Sequence, residues 1–194
     1  KGYQVAIDEF AKTIKKLGVD YLDLYLIHAP KPWSVHSDGT EYTEGNIESW
    51  KAFIELYEKG KIRSIGVSNF RPAHIQPLID ATGFVPHVDQ IFLCPGATQK
   101  ETVEYAKAKN ILIEAYSPLA TGRLFKVEIM QQFAEKYEKS LAQVAIRWSL
   151  QRGFLPLPKS VTPSRIENNF DVWDFNISDE DLDSIDNIVL PPWQ

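Results

Sequence analysis

The chain has 194 residues, 44% hydrophobic and 12% aromatic, enough apolar material for a globular unit with a sizeable core and too much for a disordered one. Its formal net charge of -5, with acidic and basic residues interspersed, offers no face built to neutralise a nucleic-acid backbone, so no nucleic-acid partner is expected. A single cysteine, Cys94, excludes an intramolecular disulfide and fits a reducing, cytoplasmic setting. No apolar run approaches the ~20 residues that span a bilayer, so no membrane partner is expected, and "KGYQVAIDEF" reads as neither signal nor transit peptide. The first residue is not Met, and the chain reads as a continuation of something before it.

In chain order, Ile7, Phe10, Ile14 and Leu17 form one helical stripe that predicts a helix over 5–17, stopped by Gly18. "DLYLIHA" predicts a strand apolar on both faces, the pattern of a parallel sheet covered on both sides. A polar loop, Lys31 to Gly45, precedes a helix with Asn46 as its N-cap and Ile47, Trp50, Ile54 and Tyr57 at helical spacing, ending at Gly60. "IRSIGVSNF" predicts a strand, "RPAHIQPLIDATG" a helix closed by Gly83, and "VDQIFL" a strand. "KETVEYAKAKN" predicts a helix with Val103 and Ala106 inward, and "ILIEAYSPL" a strand. Helices follow in "KVEIMQQFAEKY" and "SLAQVAIRWSLQRG", the second opened by a capping box of Ser140 and Gln143 and turning Leu141, Val144, Ala145 and Trp148 inward. "FLPLPKS" predicts a last strand with Pro156 and Pro158 at its frayed end. "TPSRIENNFDVW" begins a helix with Thr162 as N-cap and Pro163 in its first turn, and "SDEDLDSIDNIV" another with Ser178 and Asp181 as a capping box.

Five strands alternating with helices predict β-α units and a parallel sheet, because parallel strands need a crossover connection. No linker or composition shift divides residues 1–194, which reads as one domain or part of one. A doubly wound sheet and a (β/α)8 barrel both fit the alternation, although a barrel needs eight strands and typically ~250 residues.

Both architectures collect ligands at the carboxyl ends of their strands. The polar groups there are His28; Ser68 and Asn69; Gln90, within its strand; Tyr116 and Ser117; and Lys159 and Ser160. Taken singly, a strand-end histidine is an ordinary hydrogen-bonder, Ser-Asn is turn chemistry and Tyr-Ser-Pro is a packed turn. Their recurrence at the same end of all five strands points to a ligand. "PKSVTPSR" has the plainest physics: Lys159 and Ser160 precede a helix N-terminus with Arg165 in its first turn, an arrangement suited to a phosphate monoester. There is no G-x-G-x-x-G after a strand, no H-E-x-x-H, C-x-x-C or G-x-S-x-G, and no metal-ligand spacing among His28, His36, His74 and His87. No metal site and no serine nucleophile are expected, and His36, His74 and His87 read as surface or capping residues.

"GVDYLDLYLIHAP", "GKIRSIGVSNF", "VDQIFLCP", "AYSPLATG" and "LPKSVTPSRIENN", in this order and spacing, resemble the aldo-keto reductases, NADPH-dependent (β/α)8 barrel enzymes that reduce carbonyls to alcohols. The short loops are similar to the bacterial and fungal branch typified by diketogluconic acid reductases. The resemblance implies an α/β fold in which only strands 4 to 8 of a TIM barrel are represented, with a small carbonyl substrate. It implies His28 as the active-site histidine, with Ala29 in the substrate pocket. It further implies Ser68, Asn69 and Gln90 on the nicotinamide carboxamide, Tyr116 stacked on the nicotinamide ring, and Ser117 and Leu119 along the pyrophosphate. Lys159, Ser160, Val161, Thr162 and Arg165 would grip the adenosine 2'-phosphate, and Asn168 and Asn169 would face the adenine. The chain departs from the family at Ala29, where Trp is common, and at Asp89, Cys94 and Asn168, where Asn, His and Glu are common. The family's Tyr proton donor, with its supporting Asp and Lys, would precede these residues, so the 194 residues alone are expected to be inactive. A non-catalytic NADPH-binding or interaction protein of the same fold is the alternative.

Overall fold

The computed structural model describes residues 1–32 and 41–192; His36 and the rest of 33–40 in the polar loop lie outside the described residues. Helices and strands alternate as α1 (Tyr3–Leu17), β1 (Leu22–Ile27), α2 (Thr43–Glu58), β2 (Ile62–Ser68), α3 (Pro72–Thr82), β3 (Val88–Phe92), α4 (Lys100–Ala108) and β4 (Leu112–Tyr116). A 3₁₀ segment, Ala120–Lys126, leads into α5 (Glu128–Lys136), α6 (Leu141–Gln151), β5 (Leu155–Leu157), α7 (Pro163–Phe170) and α8 (Asp179–Asp186). The sheet runs in chain order, β1-β2-β3-β4-β5, with β1–β2, β2–β3 and β4–β5 paired in parallel. The fold is therefore α/β with a five-stranded sheet. Among the described residues no helix is long and apolar enough to cross a membrane.

Two compact units divide the chain. The first comprises Lys1–Gln90 and Glu104–Leu112. Its aromatic core joins α1, β1 and α2: Phe10 meets Tyr25 edge-on at 5.7 Å, and Tyr25 meets Phe53 at 4.8 Å. Trp50 is fully buried, with Nε1 donating to the Phe84 carbonyl at 3.4 Å. Gly66 lies where β2 is flanked most tightly, since an added Cβ would stand 2.4 Å from the Val88 carbonyl oxygen and 2.8 Å from Leu26 Cδ2. The close approach explains a glycine in the middle of a strand that otherwise favours branched residues.

Three expectations change here. β1 is half-buried rather than buried on both faces, and its exposed Asp23 pairs with Arg63 of β2 at 2.8 Å. Leu17 leaves the predicted stripe and is 61% exposed, since Ala6 and Phe10 supply the buried face of α1. Asn46 is not an N-cap: α2 begins at Thr43, and Asn46 is buried inside it with Nδ2 donating to the Pro30 carbonyl at 2.8 Å. The buried face of α2 accordingly runs through Ser49, Trp50, Phe53 and Leu56.

The second unit comprises Ile91–Val103 and Ile113–Gln194. Ser140 caps α6 as the spacing predicts, accepting from Gln143 N–H at 3.2 Å while Gln143 Oε1 accepts from Ser140 N–H at 3.0 Å. Leu141, Val144, Ala145 and Trp148 are buried, and Trp148 Nε1 donates to Asp186 of α8 at 2.7 Å. The box predicted at Ser178 is half formed. Ser178 accepts from Asp181 N–H at 3.3 Å, but the Asp181 carboxylate turns instead to Lys136 Nζ at 2.6 Å and to the Tyr137 hydroxyl. Pro156 sits in the middle of β5, opposite Ala115, rather than at a frayed end.

Candidate functional site

In the first unit, the carboxyl ends of β1 and β2 are tied to one another and to Gln90 in the middle of β3. Ser68, 2% exposed at the end of β2, donates through Oγ to the Gln90 carbonyl at 2.8 Å. The Asn69 backbone N–H donates to that same carbonyl at 2.9 Å. Asn69 Nδ2 donates to the His28 carbonyl at 3.0 Å and to Ser68 Oγ at 3.1 Å. Asn69 holds a left-handed backbone, φ 60°, a conformation asparagine tolerates better than most residues. The turn therefore presents its polar groups from a fixed frame.

His28 follows β1 directly and is exposed, while Ala29 behind it is buried. The Ala29 carbonyl accepts from Lys1 Nζ at 2.5 Å. Burial of that ammonium lowers its pKa to about 8. Lys1 had no assigned role in the sequence, and nothing in its spacing from His28 would have pointed to this contact. His74 has a capping role, its Nδ1 accepting from Arg71 N–H at 3.1 Å, whereas His87 is neither cap nor surface residue: its Nδ1 accepts from Ile65 N–H inside β2 at 3.1 Å and its ring packs against Tyr57 and Phe84.

In the second unit, two clefts share Leu119, Phe125 and Lys159. One, of about 500 Å³, is lined by Tyr116, Ser117, Leu119, Thr121 and Lys159 among others. Tyr116 ends β4, is half-buried and has its phenol pKa raised by that burial; its ring lies 5.9 Å from Phe92. The other, of about 480 Å³, is lined by Ser160, Arg165, Asn168 and Asn169 together with the three shared residues. Lys159 and Arg165 bring a point charge and a planar fork to the start of α7, whose N-terminal end favours anions. Thr162 occupies the N-cap, and its carbonyl accepts from Arg165 N–H at 3.0 Å, but its side chain makes no cap bond among the described residues. Val161, 80% exposed, and Thr162 flank this cleft without lining it. The predicted residues of each unit are thus gathered, with those two set at the margin.

The 3₁₀ segment was absent from the sequence reading, yet its Thr121, Gly122 and Phe125 line a cleft. The signal was "ATG": Ala120, Thr121 and Gly122 all have positive φ, and only the glycine advertises it. Arg123, also unassigned, donates to the Ala120 carbonyl at 3.3 Å and the Pro191 carbonyl at 3.1 Å. Among the described residues no group of three or more His, Cys, Asp or Glu could hold a metal ion. Cys94 is buried, which pushes its thiol up to about 12 and leaves it inert.

Residues 3–190 match the model of the aldo/keto reductase family. The chain belongs to the aldo/keto reductase family. It is 46% identical over 190 residues to an aldo-keto reductase of Mycobacterium sp. (strain KMS), covering 97% of this chain and 65% of that protein. It is 43% identical over 186 residues to the glyoxal reductase of Bacillus subtilis (strain 168), covering 96% of this chain and 63% of that protein. The chain thus spans just under two thirds of the length of these curated relatives. Among solved structures, it is similar to a Gox0644 mutant in complex with NADPH, with TM-score 0.86 and 39% identity, covering 95% of this chain and 65% of that one.

Proposed function

We propose that residues 1–194 form the C-terminal part of an aldo-keto reductase barrel, supplying its strands 4 to 8, and serve NADPH-dependent reduction of aldehydes and ketones to alcohols. The observation that carries the reading is the fixed turn at Ser68, Asn69 and Gln90, in a family member most of whose other predicted cofactor residues line one of two clefts. NADPH in complex with a similar protein supports the same assignment.

The residues present suit that cofactor. The Ser68–Asn69 turn and Gln90 offer amide and hydroxyl groups for a carboxamide, and Tyr116 offers a half-buried ring for stacking. Ser117 and Leu119 would follow the pyrophosphate. Lys159, Ser160 and Arg165 suit a phosphate monoester, with Val161 and Thr162 at its margin and Asn168 and Asn169 toward the adenine. When bound, NADPH supplies the hydride. His28 orients the carbonyl oxygen, and its exposure leaves it reachable by substrate. Ala29 contributes little bulk beside it, in keeping with a wider pocket floor. The relative named glyoxal reductase supports a small aldehyde as substrate.

Proton donation belongs, on the family pattern, to a Tyr, Asp and Lys with no counterpart among these residues. Such donation is worth ~10²- to 10⁴-fold, so the 194 residues alone would bind cofactor and orient a carbonyl with little turnover. A second reading is cofactor binding without catalysis. Backbone NMR of the chain titrated with NADPH tests the binding that both readings share. Amide shifts should move together at Ser68, Asn69 and Gln90 and at Tyr116, Lys159 and Arg165. Movement of one group without the other would refute the assignment, and NADPH-consuming reduction of glyoxal separates the two readings.

A further inference from the structure

Ala120, Thr121 and Gly122 follow one another with φ of 52°, 52° and 93°, and the first two carry side chains, which rarely adopt that conformation. A run of this kind persists only where its surroundings hold it. Inside the turn, Ala120 N–H donates to the Ser117 carbonyl at 2.8 Å and Gly122 N–H to the Leu119 carbonyl at 3.0 Å. The Ala120 carbonyl accepts from Thr121 Oγ1 at 2.7 Å and from Arg123 Nε at 3.3 Å. The same guanidinium reaches 68 residues along the chain, where its Nη1 donates to the Pro191 carbonyl at 3.1 Å. It also lies over the ring of Phe92, 5.9 Å from the centroid, and that ring stands 5.9 Å from Tyr116. The tail is itself closely seated, because a Cβ added at Gly96 would meet the Ile188 carbonyl oxygen at 2.5 Å and Ile188 Cγ1 at 2.7 Å. Arg123 thus touches the turn, the tail and the ring beside Tyr116, yet it is not among the described residues that line either cleft.

We propose that Arg123 is a positioning residue that clamps this turn to the C-terminal tail, so that the cleft walls formed by Thr121, Gly122 and Phe125 take their place from that clamp. That these walls receive NADPH rests on the cofactor reading above. A planar fork suits the task, since Nε and Nη1 donate to two different carbonyls at once, which a single lysine ammonium does not reproduce. The tail enters through a main-chain carbonyl, so its part in the clamp is tested by shortening the chain rather than by changing a side chain.

Three variants test this: Arg123→Ala, Arg123→Lys and a chain ending at Leu190, which lacks the Pro191 carbonyl. Hydrogen exchange at the Ala120 and Gly122 amides should quicken by about tenfold in each, relative to amides in the middle of α6, as for loss of a hydrogen bond that holds the turn. NADPH affinity should fall by about tenfold in Arg123→Ala, and by at least about fivefold in Arg123→Lys and in the shortened chain. Because turn and tail act through one side chain, Arg123→Ala made in the shortened chain should lower affinity by no more than about a further twofold, whereas independent effects would multiply. Wild-type affinity in Arg123→Lys would mean that charge alone acts, and a multiplicative double variant that the tail acts separately. Either result, or exchange at the turn that rises no more than in α6, would overturn the proposal. If Arg123→Ala does not fold, Arg123→Lys serves in the same comparisons. If the wild-type chain binds no NADPH, the cofactor reading falls, while exchange in the same variants still judges the clamp.

Discussion

Alanine at Gly66 tests the packing that sets the Ser68–Asn69 turn in place. Its Cβ would meet the Val88 carbonyl oxygen at 2.4 Å and Leu26 Cδ2 at 2.8 Å. The leucine methyl can swing aside. The carbonyl belongs to the main chain of β3, opposite Gly66 in the parallel register, and can retreat only by loosening the ladder that continues to Ser68 and Gln90. Overpacking costs ~1–3 kcal/mol, and a backbone obstacle puts this site at the top of that range. At about 3 kcal/mol, a chain of this size should melt roughly 6–12 °C lower. Gly83→Ala provides the contrast, because nothing lies within 4 Å of its added Cβ and only the positive φ of 70° opposes the substitution. That variant should lose about 1 kcal/mol. Thermal unfolding followed by far-ultraviolet circular dichroism measures both. A Gly66→Ala chain melting within about 2 °C of wild type would refute the strand spacing described here.

Arg165→Ala should weaken NADPH by about tenfold while leaving NADH nearly unchanged, as expected for loss of a charge-assisted contact to the 2'-phosphate; equal weakening of the two in a fluorescence titration would remove that assignment. Asp181 gives a signed pH effect: burial pushes its carboxyl up, but the Lys136 ammonium and Tyr137 hydroxyl outweigh this and hold it below the usual range. Its stabilisation is present above the unfolded pKa and lost as pH falls through the folded one, so wild type should lose Tm below about pH 4 more steeply than Asp181→Asn. Ser140→Ala removes one half of a formed capping box and should cost about 1 kcal/mol, read as a fall in Tm of roughly 2–4 °C.

Local signals with one physical meaning were legible in the sequence. Gly18 and Gly83 end helices in left-handed conformations, and Ser140 with Gln143 caps α6, because each depends on neighbours within a few residues. Signals decided by distant partners were not. Asn46 has the side chain of a good cap, but the Pro30 carbonyl claims its amide inside α2. "DLYLIHA" reads as doubly covered, yet β1 is half-buried and its exposed Asp23 is claimed by Arg63 of β2, a partner forty residues away. Asp181 has the spacing of a capping box and serves Lys136 and Tyr137 instead. For the candidate site, polar residues at strand ends were enough to single out Ser68, Asn69, Gln90, Tyr116 and Lys159. The carbonyl of Gln90 as the common acceptor for Ser68 and Asn69 required coordinates, as did the hydrogen bond from Lys1 Nζ to the Ala29 carbonyl.

The account rests most on the proposed cofactor assignment, and calorimetric titration of the chain with NADPH and then NADH tests it most directly. Saturable NADPH binding, at least about tenfold tighter than NADH, is the predicted result for a site in which Lys159 and Arg165 meet a phosphate. No binding of either nucleotide, or equal affinity for both, would contradict it.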